Sequence, residues 1–258
     1  MRRLSYLFAL SIALVGTTGI HAIAALQPTP VTPAFEATHE VLMANRLRNR
    51  GLRFSVRASR YRRGGFSRGV CPDGAAPIVP VSEDESAAPS YLTASSHPTF
   101  FINVPEMPEA LGFIYVEDPN STERNPQLYK AVFDLEDQAG IIGIKMPDSA
   151  PMLQEGSSYR WRVVINCSSE DAGEDTVVFS GGEIERVADI EGNTEERLDY
   201  YLQAGIWQET AAIIAEDRYE NPSVDTDEDW IILMEESGLP QFAETPIIAI
   251  VDGRLSED

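Results

Sequence analysis

Four acidic residues near the C-terminus have the spacing of calcium ligands. Positions 1, 3, 5 and 12 of an EF-hand-type loop would be filled by Asp225, Asp227, Asp229 and Glu236. Position 6 of such a loop needs the sharp turn that Gly allows, but here it is Trp230, and an apolar run follows. The preferred interpretation is therefore a helix N-terminus, where acids complement the helix dipole. A calcium-dependent surface module is the alternative.

Nucleophilic chemistry has little support in the sequence. His97 is the only histidine after residue 39, and the Pro98 that follows it favours an extended surface loop. No H-E-x-x-H, Walker A or C-x-x-C motif occurs. We predict no catalytic residue and no cofactor. Acid–base hydrolysis by two carboxylates stays open as an alternative, but 39 acidic residues after position 70 give no reason to choose a pair.

The charge of the chain changes sign at Cys71. Residues 25–70 contain nine Arg and two acids, whereas residues 71–258 contain 39 acids and nine basic residues. The net charge of −21 disfavours the acidic body as a binder of nucleic acid or anionic membrane, since phosphate contacts need Lys and Arg. It suits basic partners or cations instead.

The basic segment is rich in Arg, Gly and Ser with interleaved aromatic residues, and disorder is predicted over residues 51–70. It would fold back on the acidic body or contact an envelope protein or an anionic surface polymer; nucleic acid is the least favoured partner. The candidate partner-binding residues are Arg57, Arg60, Arg62, Arg63 and Arg68.

The first 24 residues have the pattern of a secretory signal peptide. Arg2 and Arg3 precede a nine-residue apolar stretch, and Ala22-Ile23-Ala24 fits the small-x-small cleavage pattern. Nine apolar residues are too short to span a bilayer, so we expect export to the periplasm or the exterior. An uncleaved anchor is the alternative.

The chain contains two cysteines, Cys71 and Cys167. In an exported protein an even number of cysteines favours one intramolecular disulfide. Two free thiols and pairing between chains are the alternatives.

Alternating apolar residues and turn signals then predict a series of short strands. The predicted strands are 76–81, 100–104, 112–117, 128–135, 140–145, 158–167 and 176–187, with a bulge or turn at Gly181-Gly182. Helical periodicity follows over 194–203, 207–219 and 226–236, and Asn193 with Glu196 resembles a capping box. A last extended segment, 246–251, would return to the sheet.

Several short motifs follow one another along the chain in a specific order. They are Gly69-Val70-Cys71-Pro72, Pro98-Thr99-Phe100-Phe101, Gly140–Ile144, Tyr159-Arg160-Trp161, Cys167, Gly182–Arg186, Ala204–Trp207, Trp230 and Gly238-Leu239. The order of these motifs resembles the DUF928 family, a group of exported proteins mostly from cyanobacteria whose function is not known. The resemblance covers roughly residues 65–251. It implies an exported protein with cysteines at these two positions and supplies no catalytic residues. One departure is Gln208, which follows Trp207 where the family commonly has a second aromatic residue.

The predicted fold is α+β: an antiparallel Ig-like β-sandwich followed by a small C-terminal helical subdomain, with a disordered N-terminal arm. We interpret the protein as an exported, non-enzymatic binding or adaptor protein of the cell envelope. The predicted segments are a signal peptide (1–24), the arm (25–70), the sandwich (71–188), the helical subdomain (189–251) and a polar tail (252–258).

Overall fold

The computed structural model describes Leu47 and residues 52–62, 65–69, 71–84, 86–107, 110–122, 126–135, 137–167 and 176–255. The predicted signal peptide and the Pro-rich start of the arm lie outside these residues. The strands are β1 (Arg57–Arg62), β2 (Gly65–Arg68), β3 (Ala76–Pro77), β4 (Ala87–Thr93), β5 (Thr99–Val104), β6 (Leu111–Glu117), β7 (Gln127–Asp134), β8 (Gly140–Lys145), β9 (Ser158–Asn166), β10 (Thr176–Arg186), β11 (Ile247–Asp252) and β12 (Arg254–Leu255). The helices are α1 (Thr194–Ala204), α2 (Trp207–Glu220) and α3 (Val224–Glu236), followed by a short 3-10 turn, Pro240–Phe242.

Two sheets form the body. The larger has the strand order β1-β4-β10-β9-β6-β7-β12, and β2 also pairs with β10. The smaller has the order β11-β8-β5-β3. Two stacked sheets are therefore confirmed, but neither is purely antiparallel, because β4 pairs in parallel with β10 and β11 pairs in parallel with β8. The antiparallel Ig-like topology is not confirmed.

The smaller sheet is buried on both faces. On β5, Phe100 packs against Trp161 of β9 with ring centroids 4.8 Å apart, while Phe101 points the opposite way and meets Trp230 of α3 at 6.5 Å. Alternation along the strand therefore places one ring against the larger sheet and the next against the helices. This explains why β5 and β8 are almost continuously apolar in sequence, as expected of strands covered on both sides.

A bulge in β10 makes the larger sheet mixed. The first part of β10 pairs with β2 and its last four residues pair with β4, and the register shifts between Ser180 and Gly182. Gly182 has φ 103°, and a Cβ on Gly181 would overlap the indole of Trp161. The predicted bulge at this Gly pair is confirmed, and it lets one strand change partners.

The basic arm is partly ordered. Residues 57–62 and 65–68 form β1 and β2, so the predicted disorder is wrong for these residues. β1 pairs with β4, and the backbone N–H of Ser55 donates to Gly205 O at 2.9 Å. This segment is ordered by pairing with strands that are distant in the sequence. Amino-acid composition alone cannot predict such pairing. Two residues of the predicted polar tail likewise form β12 against β7.

The three helices lie where the periodicity predicts them. The capping box of Asn193 and Glu196 is confirmed, and α1 ends at Gly205 with φ 70°. The third helix begins at Val224, slightly before the predicted start, because Ser223 and Thr226 form a second capping box. Helix α2 packs on β4, β5 and β11, and α1 and α3 each pack against α2. In the described part of the chain, no helix is long and apolar enough to cross a membrane.

Candidate functional site

The two cysteines form one disulfide. Cys71 and Cys167 are bonded with their Cα atoms 5.5 Å apart, which confirms intramolecular pairing. The bond joins the segment after β2 to the end of β9, so it fixes the basic segment to the sandwich.

The candidate partner-binding arginines lie along β1 and β2. Arg57 is exposed and bonds Glu185 at 2.6 Å. Arg60 lies over the Tyr61 ring at 5.0 Å, and Arg68 lies over Phe66 at 4.9 Å. The backbone of Arg62 ends β1, whereas Arg63 lies outside the described residues. The structure thus places the described arginines on the protein's own sheet, with Arg57 directed to an acid of the body.

The segment Gly65–Gly69 (GFSRG) spells the G-x-S-x-G pattern of a nucleophile elbow. It forms strand β2, and Ser67 pairs with Val177 of β10. A nucleophile elbow is instead a sharp turn between a strand and a helix. His97, predicted to be on a surface loop, has a side chain only 13% exposed, and its Nε2 lies 2.9 Å from Ala150 O. The described geometry therefore does not assemble a nucleophile and base from these residues.

The four candidate calcium ligands lie along one helix, so the helix interpretation is confirmed and the calcium loop does not form. Asp225 and Asp227 occupy the first turn of α3, and Asp227 accepts a bond from Arg218 Nε at 2.7 Å. Glu236 is at the opposite end of α3. Among the described residues, no group of three or more His, Cys, Asp or Glu side chains is placed to hold a metal ion.

An acidic cavity lies among the three helices. Its volume is about 370 Å³, and the described residues of its walls carry five carboxylates and one guanidinium. It is lined by Thr194 and Arg197 of α1, by Ile213, Glu216, Asp217 and Glu220 of α2, by Asn221, and by Asp225, Thr226 and Asp229 of α3. We call this site the acidic cavity.

Asp229 is the distinctive group of the acidic cavity. The residue is only 5% exposed, and its Oδ1 has no hydrogen-bond partner among the described residues. A buried unpaired carboxylate oxygen is costly, and most buried polar atoms are paired. The pKa of Asp229 is raised to about 7, chiefly by burial and to a lesser extent by the nearby carboxyl groups of Asp217 and Asp225. The site is therefore arranged to gain from a positive charge.

The raised pKa predicts a stability that depends on pH. Between about pH 4 and pH 7, folded Asp229 holds a proton that the unfolded chain has released, so the free energy of unfolding falls as pH rises. Asp229→Asn should remove this contribution. It should make the protein more stable than the wild type by about 1–3 kcal/mol at about pH 8 and little different at about pH 4. Urea denaturation at both pH values checks this, and an equal difference at the two would contradict it.

A second buried acid, Glu209, links α2 to the end of β4. It accepts hydrogen bonds from Thr93 Oγ1 at 2.6 Å and from the backbone N–H groups of Ala94 at 2.6 Å and Ser95 at 3.1 Å. Burial raises the pKa of Glu209, and these bonds oppose that shift. Glu209 was not among the residues predicted from the sequence, and Asp229 was named only as a candidate calcium ligand at a helix N-terminus. The only sequence signal for the burial of either acid is a helical position that faces the core.

The fold and the cavity define a protein in which two stacked sheets carry a layer of three helices with an acidic cavity. Residues 63–247 match the family model "Domain of Unknown Function (DUF928)", and the chain belongs to this family. The resemblance stated from the sequence motifs is thereby confirmed. A comparison with curated proteins gives no match.

Proposed function

We propose that the protein is an exported binding protein of the cell envelope and that its acidic cavity takes a cationic group of the ligand. The observation that carries this proposal is the buried Asp229 carboxylate with an unpaired oxygen in a cavity of about 370 Å³. An ammonium or guanidinium group would supply the missing donor and offset the charge.

Export is supported by the predicted signal peptide and by the Cys71–Cys167 disulfide, since such bonds persist in oxidising compartments. The acidic body supports a cationic ligand independently of the cavity. A net charge of −21 draws cations toward the protein over distances near the Debye length, about 8 Å at physiological ionic strength.

The arginines along β1 and β2 are proposed as a second, weaker contact for an envelope protein or an anionic surface polymer. Arg57 already pairs with Glu185, so part of this positive charge is neutralised by an intramolecular ion pair. Binding through these exposed side chains should be lost near 0.3 M salt, roughly where screening shortens the Debye length below 6 Å.

Binding of a simple diamine tests the cavity. Cadaverine titrated into the protein at about pH 8, where Asp229 is ionised, should give a saturable signal in calorimetry or in NMR shifts of α1–α3. Asp229→Asn should weaken the affinity at least about tenfold, because a charge-assisted bond is worth about 1.5–3 kcal/mol.

Glu236→Gln is the matched control. It removes the same charge from the same helix, but Glu236 does not line the acidic cavity. Its affinity for cadaverine should stay within about twofold of the wild type, as expected for a screened surface charge. Equal weakening by both substitutions would mean that cadaverine senses only the overall charge, and the cavity proposal would fail.

A carboxylate-based hydrolase is the second candidate function. The observation in its favour is that the pKa of Asp229 is raised to about 7, so that this buried carboxyl can hold a proton beside the carboxyl groups of Asp217 and Asp225. Release of reducing ends from envelope polysaccharide by the wild type, and its loss in Asp229→Asn, would favour this function over simple binding.

A further inference from the structure

The acidic cavity is polarised between its walls. Among the described lining residues, the one guanidinium, Arg197, belongs to α1, whereas the five carboxylates belong to α2 and α3. Helices α1 and α3 each pack against α2, so the positive wall and the wall that carries Asp229 belong to different helices. A ligand that bridges them meets opposite charges at its two ends.

Arg197 is held in place by its own partners. Its Nε donates to Tyr201 Oη at 2.9 Å and its Nη2 donates to Asp189 Oδ2 at 3.2 Å, while Tyr201 Oη donates to Asp189 Oδ1 at 2.7 Å. This closed set of three bonds orients the guanidinium. A guanidinium has five N–H donors, and these bonds use two of them, so the group can still bind an anion.

We infer that the acidic cavity binds an amino acid with a cationic side chain, whose side-chain cation lies against Asp229 and whose carboxylate lies against Arg197. This inference rests on the proposed function, because it names the ligand class of the same site. A ligand that carries only positive charge would satisfy Asp229 but would bring like charge toward Arg197. A basic amino acid pairs with both walls, and the length of its side chain separates the two charges.

The size of the cavity is compatible with this class. About 370 Å³ lies at the lower end of the range for small-molecule sites, roughly 300–1,000 Å³. Ile213 of α2 supplies an apolar surface in the lining against which a methylene chain can pack.

The test compares L-lysine with cadaverine, which is lysine without its carboxylate. At about pH 8 and about 0.15 M salt, lysine should bind the full-length mature protein at least tenfold more tightly, about 1.4 kcal/mol. Nonspecific attraction to the acidic body would instead favour cadaverine, since cadaverine carries the larger positive charge. A preference for lysine therefore reports the contact between carboxylate and Arg197.

Two substitutions of Arg197 test whether this residue causes the preference for lysine over cadaverine. Arg197→Gln should lower the affinity for lysine to that for cadaverine and leave cadaverine unchanged or slightly tighter. Arg197→Lys keeps the charge without the planar fork and should give an intermediate ratio; it also serves if the Gln variant does not fold. If cadaverine binds as well as lysine to the wild type, or if the ratio survives Arg197→Gln, the inference is wrong while the proposed function stands. If neither compound binds, the proposed function itself fails.

Discussion

Replacement of Glu209 by Ala should lower the free energy of unfolding by about 3–5 kcal/mol. The substitution leaves the hydroxyl of Thr93 and the N–H of Ala94 without this acceptor in the interior, and the N–H of Ser95 keeps only its longer bond to Thr93 Oγ1 at 3.3 Å. An unsatisfied buried group costs about 1–3 kcal/mol, and the missing side chain adds a cavity. For a domain of this size the midpoint of thermal unfolding should fall by about 6–20 °C.

Glu216→Ala is the control for this prediction. It removes the same residue type from the same helix, but Glu216 forms a half-exposed ion pair with Lys145 at 2.6 Å. Such pairs contribute about 0–1 kcal/mol. Urea denaturation of the two variants measures the difference, and similar losses would mean that the bonds of Glu209 do not fix α2 to the end of β4.

Removal of the disulfide should have an effect of similar size. The bond closes a loop across a sequence separation of 96 residues, for which the chain-entropy model gives about 4–5 kcal/mol. The double variant Cys71→Ser with Cys167→Ser should therefore unfold at a markedly lower urea concentration. The reason lies mainly in the unfolded chain, which gains freedom when the link is lost.

Reduction of the wild type gives an independent measurement of the same quantity. Unfolding of the reduced protein should coincide with that of the double Ser variant, while the oxidised protein should unfold later. If reduction leaves the unfolding midpoint unchanged, the link between the basic segment and β9 contributes little to stability, and another contact holds the segment in place.

Local patterns predicted most of the elements. Alternation of apolar and polar residues predicted β6, β7 and β9, and continuous apolar runs predicted β5 and β8. These signals are local because the side-chain period of a strand or helix is set by its own backbone geometry. Strand β4 was missed, since Pro89 and small residues weaken its strand signal. Pairing with β1 and β10 makes it a strand, and that pairing is not a local property.

The candidate site, like the fold, was only partly predictable from local sequence signals. The sequence placed Asp225, Asp227 and Asp229 at the start of a helix and identified the two cysteines, because capping and composition are read from neighbouring residues. It could not separate Asp229 from the other acids of α3. Only helix packing places Asp229 in the lining of the acidic cavity together with Arg197 of α1.

The sequence by itself determined the class of each strong element and the family, and it favoured a bond between the two cysteines that the structure then showed. Only the tertiary structure decided which strands are neighbours, that the basic segment joins the sheet, and which of many carboxylates are buried. The physical reason is that burial and pairing depend on residues distant in the chain. Thr93 and Glu209, for example, are 116 residues apart and share one hydrogen bond.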